Sequence, residues 1–249
     1  KKSPLILTIY GSAWRSNSSK ASNYIKKSLI KPLVEAGFAV ASINHRSSKD
    51  ALFPAQIHDV KAAVRYLRGN ASAYKIDTSF VGVTGSSSGG HLSAMAGTTS
   101  HNKMMEGNLG DFLDYDSHVD AVVDWFCPTD FLLMDICGSK MEHDAINSPE
   151  SKLIGGAIQE NKNKAIAANP ITYINNKTPP FLIIHGMVDL TVPYCQSKVL
   201  KIALDSESIE SELISVRDGG HGKNVFKEEF QDKMVIFFKN ELNKPAINE

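Results

Sequence analysis

The stretch GVTGSSSGGHL, residues 82–92, places three serines between glycines, directly after an apolar run and directly before a stretch with helical character. Its residues 85–89 match the G-x-S-x-G nucleophile elbow, in which small neighbours let a strand turn sharply into a helix and expose the central side chain. Ser87 is the centred serine, while Ser86 and Ser88 occupy the variable positions. The stretch therefore predicts strand, turn and helix, with Ser87 as a candidate nucleophile; the alternative is a Ser/Gly turn that caps a helix through Ser88.

On both sides of this elbow, short apolar runs alternate with amphipathic stretches of helical length. Predicted strands cover residues 5–9, 38–43, 80–84, 121–126, 181–185 and 212–216. Predicted helices cover about residues 20–36, 55–69, 91–96, 194–204 and 224–242. One of them carries apolar residues at three- and four-residue spacing, and these form a single buried stripe: Ile57, Val60, Val64 and Leu67. The alternation predicts an α/β fold with a mostly parallel sheet flanked by helices on both faces.

The domain organisation follows from the length and from one segment without strands. A chain of 249 residues is long enough for one well-buried domain, and we expect a single domain over residues 1–249. Residues 127–180 contain no clear strand and include NSPESKLIGG and NKTPP. We predict that this segment is an excursion after the fourth strand and acts as a partial lid.

Composition excludes several classes of partner. Lys plus Arg and Asp plus Glu number 27 each, so no net field would attract nucleic acid. No apolar run approaches the roughly 20 residues that a membrane-spanning helix needs. Neither HExxH nor another metal-ligand spacing occurs, and four histidines are expected to be structural or solvated: His45, His58, His91 and His185. We predict no nucleic-acid partner, no membrane span and no metal, while the oligomeric state is not indicated.

The cysteines and sequons constrain the cellular location weakly. Cys127, Cys137 and Cys195 show no CxxC spacing, so neither a disulfide framework nor a zinc site is indicated. A single Cys127–Cys137 bridge stays open. Glycosylation sequons begin at Asn17, Asn70 and Asn176, but a Lys- and Asn-rich chain produces such matches by chance. A secreted or periplasmic location is favoured over a cytoplasmic one.

A serine nucleophile requires two partners farther along the chain. A serine hydroxyl is weak at neutral pH and needs a base that is itself held by a carboxylate. Asp189 follows the predicted strand at 181–185, and His221 lies in the glycine-rich RDGGHG after the strand at 212–216. The order Ser87, Asp189, His221 is that of α/β-hydrolases. The alternatives are a solvated or capping acid at Asp189 and a loop histidine without catalytic function at His221.

The sequence also resembles the α/β-hydrolase esterases that include acetylxylan and feruloyl esterases. The resemblance rests on residues 53–98, with FPAQ and GSSSGGHLS beside the family's FPAQ and GSSAGGHLA, and continues through DWFCPTD, NPITYI, PPFLIIHG and GGHG. It implies cofactor-free hydrolysis of acetyl- or feruloyl-type esters, including those of plant cell-wall carbohydrate. It also implies that Ser87, Asp189 and His221 form the catalytic triad. The expected partner is a small-molecule or oligosaccharide ester.

Two departures from the family pattern affect these expectations. The usual HGGGW is replaced by YGSAW at residues 10–14. We expect the backbone N–H of Ser12 or Ala13 to pair with that of Ser88 in an oxyanion hole, and a positive φ at either residue would cost about 1 kcal/mol or more of backbone strain. Family members also have two strands ahead of the one at 5–9, so N-terminal strands are expected to be missing and the sheet to be smaller at that edge.

Two other functions stay open at this point. A different acyl hydrolase, such as a peptidase or an arylformamidase, would share the triad, because the nucleophile does not report the leaving group. A catalytically silent α/β-hydrolase domain that only binds a ligand or partner would be consistent with the altered 10–14 loop.

Overall fold

A parallel sheet carries the elements that the sequence predicts. The structure is a computed structural model and describes residues 2–20 and 22–245. The strands are β1 (Ser3–Ile9), β2 (Ala39–Ser42), β3 (Ile76–Ser86), β4 (Ala121–Trp125), β5 (Phe181–Gly186) and β6 (Ser211–Val216). All neighbours pair in parallel in the order β2-β1-β3-β4-β5-β6. Within the described residues β2 therefore forms one edge of the sheet, and all six predicted strands are confirmed.

Helices occupy most of the segments between strands. The first begins as α1 (Asn23–Ile25), passes through a π-helical stretch at Lys26–Ile30 and ends as α2 (Lys31–Glu35). The others are α3 (Ala55–Gly69), α4 (Ala71–Tyr74), α5 (Ser88–Thr98), α6 (Lys103–Glu106), α7 (Pro149–Ile154), α8 (Lys162–Ala167), α9 (Cys195–Ser206) and α10 (Glu228–Leu242). Short 3-10 turns lie at Phe131–Leu133, Ile158–Glu160 and Pro170–Tyr173.

The two faces of the sheet have separate apolar cores. On β1, Leu5 and Leu7 pack into the core that contains the buried stripe of α3, whereas Ile6 packs into the opposite core, which includes Met234 and Phe238 of α10. Successive side chains of a strand point to opposite faces, which explains this alternation. The predicted arrangement of helices on both faces of a parallel sheet is confirmed.

Residues 127–180 are joined to the rest of the chain by a disulfide that we did not predict. Cys137 is bonded to Cys195, the first residue of α9, with the two Cα atoms 6.1 Å apart. Cys127 is a free, buried thiol at the end of β4, with its Sγ 3.3 Å from Thr129 Oγ1. The open Cys127–Cys137 pairing is therefore wrong, because the fold brings Cys137 to a cysteine 58 positions away instead.

Candidate active site

The elbow forms where β3 ends and α5 begins, with Ser87 at the turn. Ser87 has φ 54° and ψ −126°, a conformation that non-glycine residues rarely adopt and that functional sites often retain. The turn is possible because two glycines let the backbones approach closely. A Cβ on Gly85 would lie 2.3 Å from the Gly89 carbonyl oxygen, and a Cβ on Gly89 would lie 2.2 Å from the Ile9 carbonyl oxygen. Both glycines of the motif are therefore required by the packing.

Asp189 lies in the loop after β5, and hydrogen bonds on both carboxylate oxygens fix its orientation. Oδ1 accepts the N–H groups of Thr191 at 2.8 Å and Val192 at 3.0 Å. Oδ2 lies 2.8 Å from His221 Nδ1 and 3.5 Å from His185 Nε2. Burial raises the pKa of the Asp189 carboxyl, but the hydrogen bonds from the two histidines outweigh it and hold that pKa well below its usual range. Asp189 is thus a buried, ionised acceptor.

His221 lies in the loop after β6 and faces both partners. Its Nδ1 is 2.8 Å from Asp189 Oδ2 and its Nε2 is 3.0 Å from Ser87 Oγ. The two loops meet at glycines, since a Cβ on Gly186 would lie 2.2 Å from the Gly219 carbonyl oxygen. The ring also packs edge-on against Phe126, with centroids 4.9 Å apart. The structure therefore brings all three predicted residues into one hydrogen-bonded chain.

This chain of contacts assigns a direction to the protons. An ionised Asp189 accepts a hydrogen bond only, so His221 donates from Nδ1–H and leaves the Nε2 lone pair for the Ser87 hydroxyl. A neutral imidazole in that tautomer can take the serine proton when the oxygen attacks an electrophile, and the adjacent carboxylate stabilises the imidazolium that results. The arrangement is suited to acyl transfer.

The loop that departs from the family pattern lies directly against the elbow. A Cβ on Gly11 would lie 3.0 Å from Ser87 Cβ. Ala13 has φ 51° and Trp14 has φ 54°, so the positive φ considered for Ala13 is present. The Ser12 N–H donates to Ser88 Oγ at 2.8 Å. The loop is thus placed where oxyanion donors are needed, while the oxyanion role of its N–H groups stays a prediction.

Two residues near the triad were not identified from the sequence. His185 was expected to be structural or solvated; it is fully buried and approaches Asp189, with its Nε2 3.0 Å from the Val192 carbonyl oxygen. Phe126, which supports the His221 ring, has φ 46° directly after β4. A positive φ and a ring-to-ring contact leave no sequence signal, so only the fold reveals them.

Neither a metal-ligand cluster nor a membrane-spanning helix is found in the part of the chain that the structure describes. Among residues 2–20 and 22–245, no group of three or more His, Cys, Asp or Glu side chains is arranged to hold a metal ion. Over the same residues, no helix has the combined length and apolar character needed to cross a membrane.

Comparison with known proteins adds a family relationship. The family model described as BD-FAE matches residues 1–204. That range contains Ser87 and Asp189 and ends before His221, whose place beside them is given by its contacts with both residues. Esterase LipQ of Mycobacterium tuberculosis (strain ATCC 25618 / H37Rv) is 29% identical over 205 residues, which are 82% of this chain and 46% of LipQ. The chain therefore spans less than half the length of this curated relative.

Two solved structures are similar over almost the whole chain. One, described as a truncated form of carbohydrate esterase from gut microbiota, is 45% identical with a TM-score of 0.92, and the match covers 98% of this chain and 87% of that one. The other, a bifunctional GH43-CE from Bacteroides eggerthii, is 46% identical with a TM-score of 0.91, over 96% of this chain and 32% of that one.

Proposed function

The chain belongs to the BD-FAE family of α/β-hydrolases, and from that premise we propose that it is a serine carboxylic ester hydrolase with Ser87 as nucleophile, His221 as base and Asp189 as orienting acid. The observation that carries the proposal is the continuous hydrogen-bonded chain from Ser87 Oγ to His221 Nε2 at 3.0 Å and from His221 Nδ1 to Asp189 Oδ2 at 2.8 Å. The strained backbone of Ser87 presents that hydroxyl at the sharp turn.

The first half of the reaction forms an acyl-enzyme. Ser87 Oγ bonds to the ester carbonyl carbon, its proton passes to His221 Nε2, and the carbonyl π electrons move onto the oxygen. When the tetrahedral intermediate collapses, the C–O bond to the alcohol breaks and His221 returns the proton to the departing alkoxide.

The second half releases the acid. Water gives a proton to His221 as its oxygen attacks the acyl carbon, and the Ser87–acyl bond then breaks with return of that proton to Ser87. In both halves the oxyanion would form between the 10–14 loop and the start of α5, where the backbone N–H groups of Ala13 and Ser88 are the proposed direct donors. Ser12 N–H faces Ser88 Oγ instead.

The proposed substrate is an acetyl or feruloyl ester of plant cell-wall carbohydrate. The two similar solved structures are described as a carbohydrate esterase and a bifunctional GH43-CE, and they are 45% and 46% identical to this chain. Their similarity supports a carbohydrate ester as the substrate over a peptide or a formamide. We further propose that residues 1–249 act as one catalytic domain, with residues 127–180 as a partial lid beside the site.

The proposal is tested by labelling with a fluorophosphonate and by hydrolysis of p-nitrophenyl acetate, methyl ferulate and acetylated xylo-oligosaccharides. We expect native protein to be labelled by the fluorophosphonate and to hydrolyse at least one carbohydrate ester. Ser87→Ala should lose both the labelling and the hydrolysis. Ser86→Ala is the matched control in the same turn and should keep the label. Labelling that persists in folded Ser87→Ala, or native rates at background for every ester, would refute the assignment.

One observation favours a second candidate function, that of a catalytically silent binding domain. Ala13 holds a positive φ and Ser12 N–H is already paired, so the altered loop could leave too few donors for the oxyanion. Ala13→Gly removes the steric penalty of that φ. If esterase activity appears only in this variant, the native chain is a binding domain; equal activity in both proteins supports an enzyme.

A further inference from the structure

The side chain of Ser88 contacts the loop that borders the proposed oxyanion hole. Ser88 is 1% exposed, and its Oγ accepts the Ser12 N–H at 2.8 Å. The two residues lie 76 positions apart and belong to different elements, the 10–14 loop and the first turn of α5. The elbow of the esterases that this chain resembles has alanine at the position of Ser88, so the contact is made by side-chain atoms that an alanine lacks.

The Ser88 hydroxyl accepts one hydrogen bond and still has its own hydrogen to donate. A hydroxyl has one hydrogen to donate and two lone pairs to accept with. Ser12 N–H uses a lone pair, and the Ser88 O–H has no acceptor within the part of the chain that the structure describes. A buried donor without an acceptor costs free energy, whereas a partner that arrives with the substrate removes that cost. The neighbouring Ser87 is where such a partner, the carbonyl oxygen of an ester, would arrive.

We infer that the Ser88 hydroxyl is a catalytic donor to the oxyanion, held in place by the N–H of Ser12. The inference rests on the proposed esterase function and deepens it. As negative charge develops on the substrate oxygen, the Ser88 O–H donates to it alongside the Ser88 N–H, and no proton is transferred. Ser12 N–H does not reach the oxyanion itself; it is a positioning group that fixes the hydroxyl.

This arrangement also accounts for the changed loop sequence. The loop N–H that donates to Ser88 Oγ polarises this hydroxyl, so that its hydrogen becomes more positive and a stronger donor, as in other hydrogen-bond chains. The Ser88 O–H would then take the place of the Ser12 N–H as a direct donor, beside the N–H groups of Ala13 and Ser88. The YGSAW loop and Ser88 would then act as one unit in place of the family's HGGGW loop.

Ser88→Ala distinguishes a donor from the opposite case, in which the Ser88 side chain fills the oxyanion hole and its removal would raise kcat. If the hydroxyl is a donor, kcat for p-nitrophenyl acetate should fall about 100-fold with KM within about threefold, because a donor to developing charge acts in the transition state. Ser93→Ala is the matched control, since Ser93 in α5 is fully buried and its hydroxyl donates to the Gly89 carbonyl at 2.9 Å and not to a group of the 10–14 loop. It should keep native kcat.

A second measurement excludes a merely structural effect. Phenylboronic acid adds to the serine as a tetrahedral anion, so its affinity should fall in Ser88→Ala by about the same factor as kcat, and not in Ser93→Ala. An unchanged or raised kcat in folded Ser88→Ala would overturn the inference while Ser87-dependent activity upholds the esterase. An inactive, unlabelled native protein would overturn both.

Discussion

Replacing Asp189 by asparagine tests the hydrogen-bonded chain at its buried end. In Asp189→Asn the side-chain amide oxygen can still accept the N–H groups of Thr191 and Val192, which lie 2.8 and 3.0 Å from the present Oδ1. The amide nitrogen then takes the place of Oδ2 and turns a donor toward His221 Nδ1. The reversed amide would face two backbone N–H groups with its own donor, so the first orientation is favoured. His221 must then accept at Nδ1 and carry its proton on Nε2.

An imidazole in that tautomer cannot accept the Ser87 proton. In serine hydrolases with this arrangement, the wrong tautomer costs about 10⁴-fold in kcat, which corresponds to about 5 kcal/mol of transition-state stabilisation. Initial rates with p-nitrophenyl acetate measure the effect, and urea unfolding should show that Asp189→Asn stays folded, because both hydrogen bonds from the backbone N–H groups remain.

Asp218→Asn is the matched control. Asp218 lies in the same loop as His221 and is exposed, with contacts to Asn224 and Lys227. It should keep native kcat. If Asp189→Asn retained more than about a tenth of the native kcat, the tautomer argument would be wrong.

Three further predictions concern the fold around the site. Replacing Cys137 and Cys195 together by serine removes a disulfide that joins residues 58 positions apart. The free energy of unfolding, measured in urea, should then fall by about 4 kcal/mol on the chain-entropy estimate, and a fall of less than about 0.5 kcal/mol would argue against that estimate. Burial raises the pKa of Asp124 to about 7, so its contribution to stability is full below pH about 4 and is lost as the pH rises through 7. Asparagine does not ionise, so the free energy of unfolding of Asp124→Asn minus that of the native protein should grow from pH 4 to 7. A difference that stays constant over this range would contradict the prediction. Gly186→Ala places a methyl group 2.2 Å from the Gly219 carbonyl oxygen, so kcat should fall as the acid and base loops separate, and a native kcat would show that the loops accommodate the methyl.

Local patterns predicted the elements whose side chains follow one period. The stripe at Ile57, Val60 and Val64 predicted residues 55–69, and α3 has those bounds. The third strand is longer than predicted, Ile76–Ser86 instead of 80–84, because Asp77 interrupts the apolar pattern but still pairs with Pro4 of β1, before an irregularity after which Val81 pairs with Leu5. Backbone pairing there overrides side-chain polarity.

Contacts between distant segments could not be predicted in the same way. The pairing of Cys137 with Cys195 depends on how residues 127–180 return to α9, and that segment contains no clear strand from which its path could be predicted. The Ser12–Ser88 hydrogen bond depends on the height of a loop above the elbow. By contrast, Ser87, Asp189 and His221 follow the ends of β3, β5 and β6, and the carboxyl ends of parallel strands meet at one edge of a sheet. Their location at one edge of the sheet could therefore be expected once a parallel sheet was predicted.

That strand order also determines when the site is complete during synthesis. From β3 onward each new strand adds beside the preceding one, so the sheet can grow outward as the ribosome releases the chain. Ser87 emerges early and Asp189 much later, whereas His221 becomes available only after β6 has been made. A nascent chain that has folded as far as β5 holds a serine without its base. The proposed triad is therefore complete only once β6, at one edge of the described sheet, has been synthesised and has paired with β5.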